Sequence, residues 1–281
     1  MRVLTLLDGT VLDGDAPHLA ADDLGVQRGD GVFETLLVVG GRPRKLDAHL
    51  ARLARSAAML DLPAPDEAAW RRAVAAACDA WPGEEMALKL MITRGRHEDG
   101  PPTCFALGLP VSPTVLRQRR DGVAVITLDR GYPAGLGERA PWLLISAKTL
   151  SYGVNMAAMR HARRAGADDV VFVSSDGWVL EGPTSTVVIA DGRTLRTPPV
   201  AAGILPGTTQ QQLFAAAEAA GWATKTEPLR PADLHAADVL WLASSVRQLA
   251  RVHTFEGRRL PADAAGLTAE LTALLADPPV G

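Results

Sequence analysis

Residues 146–162, SAKTLSYGVNMAAMRHA, put Lys148 between an apolar run and a segment of helical period, and the reading of that lysine decides the reading of the chain. The preceding LLIS, residues 143–146, is apolar enough to form a buried strand. A lysine at the end of such a strand has two readings. Either it carries its charge out to solvent, or burial depresses its pKa so that the free amine exists near neutral pH. Position alone favours the first, because most lysines at strand ends are solvated.

Residues further along change that balance. WVLEGPTSTVVIA, residues 178–190, places Glu181 among apolar neighbours. LPGTTQQQLFAAA, residues 205–217, brings Gly207, Thr208 and Thr209 to the start of a helix, where backbone N–H groups and two hydroxyls make an anion site. WLASS adds Ser244 and Ser245 after another apolar strand. A lysine, an acid and an anion cradle are the parts a pyridoxal phosphate enzyme needs. They supply a covalent anchor, a carboxylate that keeps the pyridine nitrogen protonated, and a hold on the phosphate.

The remaining chain frames these segments. VLTLL and TVL flank Asp8-Gly9, and VFETLLVV and RPRKL flank Gly40-Gly41, the patterns of antiparallel hairpins. Asp47 is placed to cap a helix whose Leu50, Leu53, Ala54, Ala57 and Leu60 share a face, with a second helix from Asp66 to Ala80. MALKLMIT and CFALGLPV read as strands, as do GVAVITL, DVVFVS, WVLEG, STVVIA and VLWLAS. Helices are expected over 152–165, 208–220 and 262–275. Without regular βαβ alternation the class is α+β. The polar stretch SPTVLRQRRDG, with Arg117, Arg119 and Arg120, reads as a solvated linker, giving domains 1–113 and 122–281 joined by 114–121.

Length, charge and composition exclude other classes. A chain of 281 residues with net charge −3 has no basic stripe for nucleic acid, and no apolar run long enough for a membrane span. The start MRVLTLLDGT lacks a signal-peptide pattern, so the expected location is cytoplasmic. Cys78 and Cys104 have neither metal-ligand spacing nor a histidine cluster, and no metal is expected. A G-x-x-x-x-G-K-[ST] nucleotide loop is absent, which weighs against a non-catalytic nucleotide binder.

Taken in order, RGDGVFET, HLARLARSAAML, SAKTLSYGVN, EGPTSTVVI, GILPGTTQQ and VLWLASSVRQLARV resemble the motifs of the class IV, or fold-type IV, pyridoxal phosphate enzymes over nearly the whole chain. That family includes branched-chain and D-amino-acid aminotransferases and 4-amino-4-deoxychorismate lyases. The resemblance implies two mixed α/β domains with the cofactor between them, pyridoxal 5'-phosphate itself, and a homodimer. It implies Lys148 as covalent anchor and proton carrier, and Glu181 at the pyridinium nitrogen. It also implies Arg52, Thr208, Thr209 and Ser245 on the phosphate, and Leu205 against the ring. Tyr152 is placed near the phenolic oxygen or simply packs, and Phe33 and Glu34 face either the substrate or the core. Arg94, Arg96 and His97 form a basic turn suited to a substrate carboxylate, or a solvated one. His49 reads as structural and His161 as exposed. Two positions depart from the family pattern: Thr186 where an Asn is usual, and Gln210 where an Arg commonly follows the loop.

The run KTLSYGVNMAAMRHARRAGADD most resembles the lysine segment of aminodeoxychorismate lyases. The implied reaction is elimination of pyruvate from 4-amino-4-deoxychorismate to give 4-aminobenzoate for folate synthesis. The alternative is an aminotransferase acting on D-amino or branched-chain amino acids with a 2-oxo acid acceptor.

Overall fold

The computed structural model describes residues 1–276, which divide into two compact units. The first contains Met1–Ser112 together with Ala147–Tyr152. Its elements are β1 (Val3–Thr5), β2 (Val11–Asp13), α1 (Leu24–Arg28), β3 (Gly31–Val39), β4 (Arg42–Pro43), α2 (Leu46–Met59), α3 (Glu67–Ala80), β5 (Glu85–Thr93) and β6 (Thr103–Leu109). The strands form one antiparallel sheet in the order β2-β1-β6-β5-β3-β4. Strand β5 shows why: Met86, Leu88, Leu90 and Ile92 recur at period two and are all buried, while the intervening residues are partly exposed. Asp23 caps α1 by accepting from the Gly25 N–H, and its other oxygen accepts from the hydroxyls of Thr93 (2.9 Å) and Thr103 (2.8 Å). That single carboxylate ties α1 to the ends of β5 and β6.

Strand β4 covers only Val38 and Val39 of β3, which leaves the edge at Gly31–Phe33 open. Residues 147–152 fill it. Val32 and Thr149 form an antiparallel bridge, the Phe33 N–H donates to the Lys148 carbonyl (3.0 Å), and the Leu150 N–H donates to the Gly31 carbonyl (2.8 Å).

The second unit contains Pro113–Ser146 and the chain from Gly153 onward. Its elements are α4 (Pro113–Asp121), β7 (Val123–Asp129), α5 (Leu136–Arg139), α6 (Gly153–Arg164), β8 (Asp169–Val173), β9 (Thr186–Asp191), β10 (Thr194–Thr197), α7 (Thr208–Ala219), β11 (Ala223–Thr226), α8 (Pro231–Ala236), β12 (Val239–Ser244), β13 (Gln248–Phe255), β14 (Arg258–Arg259) and α9 (Leu267–Ala276). The sheet is mixed, in the order β11-β10-β9-β12-β13-β7-β8, with β14 beside β13. β9 and β12 are buried along nearly their whole length because both faces are covered. Val187, Ile189, Leu240 and Leu242 join one core, while Val188, Ala190, Trp241 and Ala243 join another with Leu213 of α7 and Leu271 of α9.

Several expected elements differ. LLIS is no strand: Pro141–Leu143 form a 3-10 turn, Leu144 is left-handed at φ 53°, and Trp142 is 74 % exposed, so the run is apolar without being buried. Proline at the head of the turn removes a ladder donor. WVLEG makes only isolated bridges at Val179 and Gly182. Residues 113–121 form helix α4 within the second unit rather than a linker, and residues 147–152 group with the first unit. α2 starts at Leu46 after a left-handed Lys45, with Asp47 in its first turn. The apolar residues Val32, Leu36, Leu37 and Val38 of β3 are buried within the chain.

A Cβ at Gly31 would lie 2.4 Å from the Ile92 carbonyl oxygen and 2.8 Å from Leu150 Cδ1. Gly31→Ala is therefore expected to destabilise the chain by ~1–3 kcal/mol, the range for overpacking. Urea unfolding of the variant measures it; a midpoint and slope equal to those of the parent would mean that the 147–152 segment does not sit as described.

Candidate active site

In the first unit the backbone fixes Lys148 before its side chain is considered. The Lys148 carbonyl accepts from Phe33, and its N–H donates to Ser56 Oγ of α2 (3.1 Å). Its ammonium lies 4.7 Å from the Phe33 ring centroid and 5.9 Å from that of Tyr152, and the two rings meet edge to face at 5.4 Å. Two aromatic walls thus flank the amine, an arrangement that attracts a cation and limits water.

Arg52 is buried rather than solvated, because its α2 face carries His49, Leu50, Leu53 and Ala57 inward with it. Its Nε and Nη2 donate to the two oxygens of Glu34 at 2.6 and 2.7 Å, and His49 Nδ1 lies 2.7 Å from Glu34 Oε2. Burial pushes the Glu34 carboxyl up, but the hydrogen bonds from Arg52 and His49 outweigh it and bring the pKa down to about 2. Glu34 therefore faces neither solvent nor an open pocket; it orients Arg52.

The basic turn is neutralised from within. Arg94 pairs with Asp30 (2.7 Å) and donates to the Leu60 carbonyl (2.6 Å), and the exposed Arg96 forks onto Asp22 (2.7 Å). His97 is exposed beside them.

The second unit assembles the other residues. Glu181 Oε2 accepts from the Leu205 N–H (3.1 Å), which orients the carboxylate and joins two expected cofactor residues. Asn155 Nδ2 donates to the Pro183 carbonyl (2.7 Å) and steadies the loop after Glu181. Helix α7 begins at Thr208 with Gly207 as N-cap and no side-chain cap, so Thr208 and Thr209 stand at a helix end that carries partial positive charge. Thr186 has a clear place: a Cβ at Gly207 would lie 2.2 Å from Thr186 Oγ1, so the threonine is packed directly against the loop glycine. Thr186 also pairs with Ala243 of β12, which brings the Ser244–Ser245 end of that strand beside it.

Sequence reasoning missed Ser56, Asn155 and the Glu34–Arg52 fork. Each depends on a contact between residues distant in the chain, and local pattern carries no signal for it.

The family Amino-transferase class IV matches residues 31–255. A curated relative from Mycobacterium tuberculosis, named a bifunctional aminodeoxychorismate lyase / D-amino acid transaminase, is 53 % identical over 269 residues, covering 92 % of this chain and 93 % of the relative. A solved structure called a hypothetical aminotransferase from Mycobacterium tuberculosis, in its PLP-bound form, superposes with a TM-score of 0.94 at 52 % identity, covering 98 % of each chain. A fold IV transaminase from Curtobacterium pusillum has a TM-score of 0.92 at 45 % identity, covering 98 % of this chain and 97 % of that one. The chain belongs to the class IV aminotransferase family and is a pyridoxal phosphate-dependent enzyme of fold type IV. Its residues suit that group: an amine walled by rings, a carboxylate held by a backbone N–H, and a helix N-terminus whose glycine leaves no room for a Cβ.

The depressed Glu34 pKa has a pH signature. The charged carboxylate contributes its full stability above the ordinary value of 4.5, and the contribution is lost as pH falls from 4.5 toward about 2. A shift of that size is worth ~3 kcal/mol. Glu34→Gln should be less stable than the parent at pH 7 and should converge on it as pH falls toward 3. A constant difference between the two urea curves across that range would remove the ion pair from the account.

Proposed function

We propose that this class IV enzyme eliminates pyruvate from 4-amino-4-deoxychorismate, leaving 4-aminobenzoate for folate synthesis, and that it does so as a cytoplasmic homodimer. The observation that carries the reading is the fixed Lys148: backbone hydrogen bonds to β3 and α2 set its position and aromatic rings flank its amine. The relative named as an aminodeoxychorismate lyase and D-amino acid transaminase supports the choice of substrate.

When bound, pyridoxal phosphate supplies an electron sink for the pair left at the amine-bearing carbon. Lys148 would be its covalent anchor, and the same amine, flanked by Phe33 and Tyr152, would be the base for the proton on that carbon of the substrate. Glu181, oriented by Leu205, holds the proton on the pyridine nitrogen. Arg52, Thr208, Thr209 and Ser245 hold the phosphate, with Arg52 aimed by Glu34. Leu205 would pack against the ring, and Tyr152 and Phe33 stand beside the lysine. In the substrate, the C–O bond to the enolpyruvyl group then breaks as the C–H electron pair becomes a ring double bond. Aromatisation drives the step, and the departing enolate becomes pyruvate by taking up on carbon the proton that Lys148 holds.

The second reading is transamination of D-amino acids, favoured by the same relative's double name. It would use the same lysine as proton carrier, and it assigns Arg94, Arg96 and His97 to a substrate carboxylate. The pairing of Arg94 with Asp30 and of Arg96 with Asp22 weighs against these two arginines as ready grips for a substrate carboxylate.

Aminodeoxychorismate offered with no oxo acid is expected to give many turnovers of 4-aminobenzoate and pyruvate, whereas a D-amino acid alone would at most aminate one cofactor per site. Lys148→Ala should fold, lose the borohydride-trappable cofactor, and lose about a thousandfold or more in rate. No 4-aminobenzoate, with rapid stoichiometric amination by a D-amino acid, would assign the transaminase instead. A reducible adduct surviving in the variant would move the anchor to Lys89.

Assembly is tested separately. Sedimentation at micromolar concentration should give twice the chain mass of 29.7 kDa. A fully active monomer would end the homodimer reading.

A further inference from the structure

The loop that carries Ser245 is held by two arginines that the function has so far left aside. Strands β12 and β13 pair with Ser244 opposite Gln248, so Ser245, Val246 and Arg247 form a three-residue hairpin loop. Gln248 follows at φ 61°, the left-handed position such loops require and glycine fills most readily. A non-glycine residue there carries a conformational cost, so contacts from outside the loop help to set its shape.

Those contacts come from α4, the segment whose sequence suggested a solvated linker. Arg119 donates Nε (3.0 Å) and Nη2 (2.5 Å) to the Val246 carbonyl. Arg247, only 6 % exposed, places Nη1 at 2.6 Å from Asp169 Oδ2 at the start of β8 and at 3.3 Å from Gln118 Oε1 of α4. Its Nε and Nη2 are buried without a hydrogen-bond partner. An incompletely satisfied buried ion pair is a poor device for stability, since apolar replacements are often as good or better. What the pair does provide is a fixed position for the loop backbone.

We infer that Arg119 and Arg247 are positioning residues that hold the 245–247 loop in register for the cofactor's phosphate. The inference rests on the reading of Ser245 as a phosphate ligand. Its target is local: Ala243 of β12 pairs with Thr186, and Thr186 packs against Gly207 at the head of α7. A loop held by Arg119 therefore presents Ser245 at the strand end that adjoins the helix N-terminus.

The test compares two ligands that share an aldehyde and a ring but differ in the phosphate. The apo-enzyme is titrated with pyridoxal 5'-phosphate and with pyridoxal, read by absorbance of the bound ligand, for the parent, Arg119→Met, Arg119→Lys and Ser245→Ala, with melting curves for each. Arg119 carries the test because it is half-buried and less needed for folding than Arg247. Arg119→Met should weaken pyridoxal phosphate about tenfold, the worth of one charge-assisted hydrogen bond, and leave pyridoxal unchanged. Arg119→Lys should recover part of the loss, and Ser245→Ala should show the same phosphate-selective loss. If Ser245→Ala loses pyridoxal phosphate while Arg119→Met binds both ligands as the parent does, or weakens both equally, the positioning role is overturned. If Ser245→Ala binds pyridoxal phosphate as the parent does, the reading of the loop as a phosphate site fails, and the inference with it.

Discussion

The seating of residues 147–152 on the open edge of β3 is the constraint from which the chemistry follows. More than a hundred residues separate Val32 from Thr149, so closing that pairing carries a loop entropy that grows slowly with length. The two backbone hydrogen bonds that make the Val32–Thr149 bridge, together with the hydrogen bond to the Ser56 hydroxyl, offset it. The short β4 is what makes the edge available, since it pairs with β3 only at Val38 and Val39. A longer hairpin arm would occupy the place of the lysine segment.

Buried charge is the second theme. Glu34 is fully buried and receives both Arg52 and His49, and Asp169 is fully buried beside Arg247. Ion pairs of this kind contribute little net stability relative to apolar packing, and removing one partner is costly. Their effect here is geometric. The fork from Glu34 sets the plane of the Arg52 guanidinium, and the second pair sets a loop backbone. Both devices use arginine, whose planar group fixes direction in a way an ammonium does not.

The second unit solves a related problem with helix ends and strand ends. β9 and β12 run side by side through a sheet covered on both faces, so their ends lie at defined places. Glu181, Gly207 and Ser245 sit just outside regular elements and Thr186 is the first residue of β9, so all four lie at element ends. Thr186 packs against Gly207 closely enough that a Cβ at 207 would meet its hydroxyl, so the two residues are matched in size.

The sequence by itself pointed to the family and the cofactor through six ordered motifs that resemble those of class IV enzymes, while turn pairs and alternating strands, which are local signals, marked out the segments. It also located the strands of the first sheet and β7, β8, β9 and β12 of the second, since period two is written residue by residue in stretches such as β5, but it did not find β10, β11, β13 or β14. It misread LLIS as a strand, because apolarity does not report burial and Trp142 lies in solvent. It misread 114–121 as a linker, because Arg119 and Gln118 look solvated until their partners at Val246 and Arg247 are known. Arg52 had been given a role but not a neighbour; that Glu34 and His49 hold it is decided by packing α2 against β3. Tertiary structure alone settles such pairings, because a hydrogen bond between residues far apart in the chain leaves no periodicity, spacing or propensity behind for a linear reading to detect.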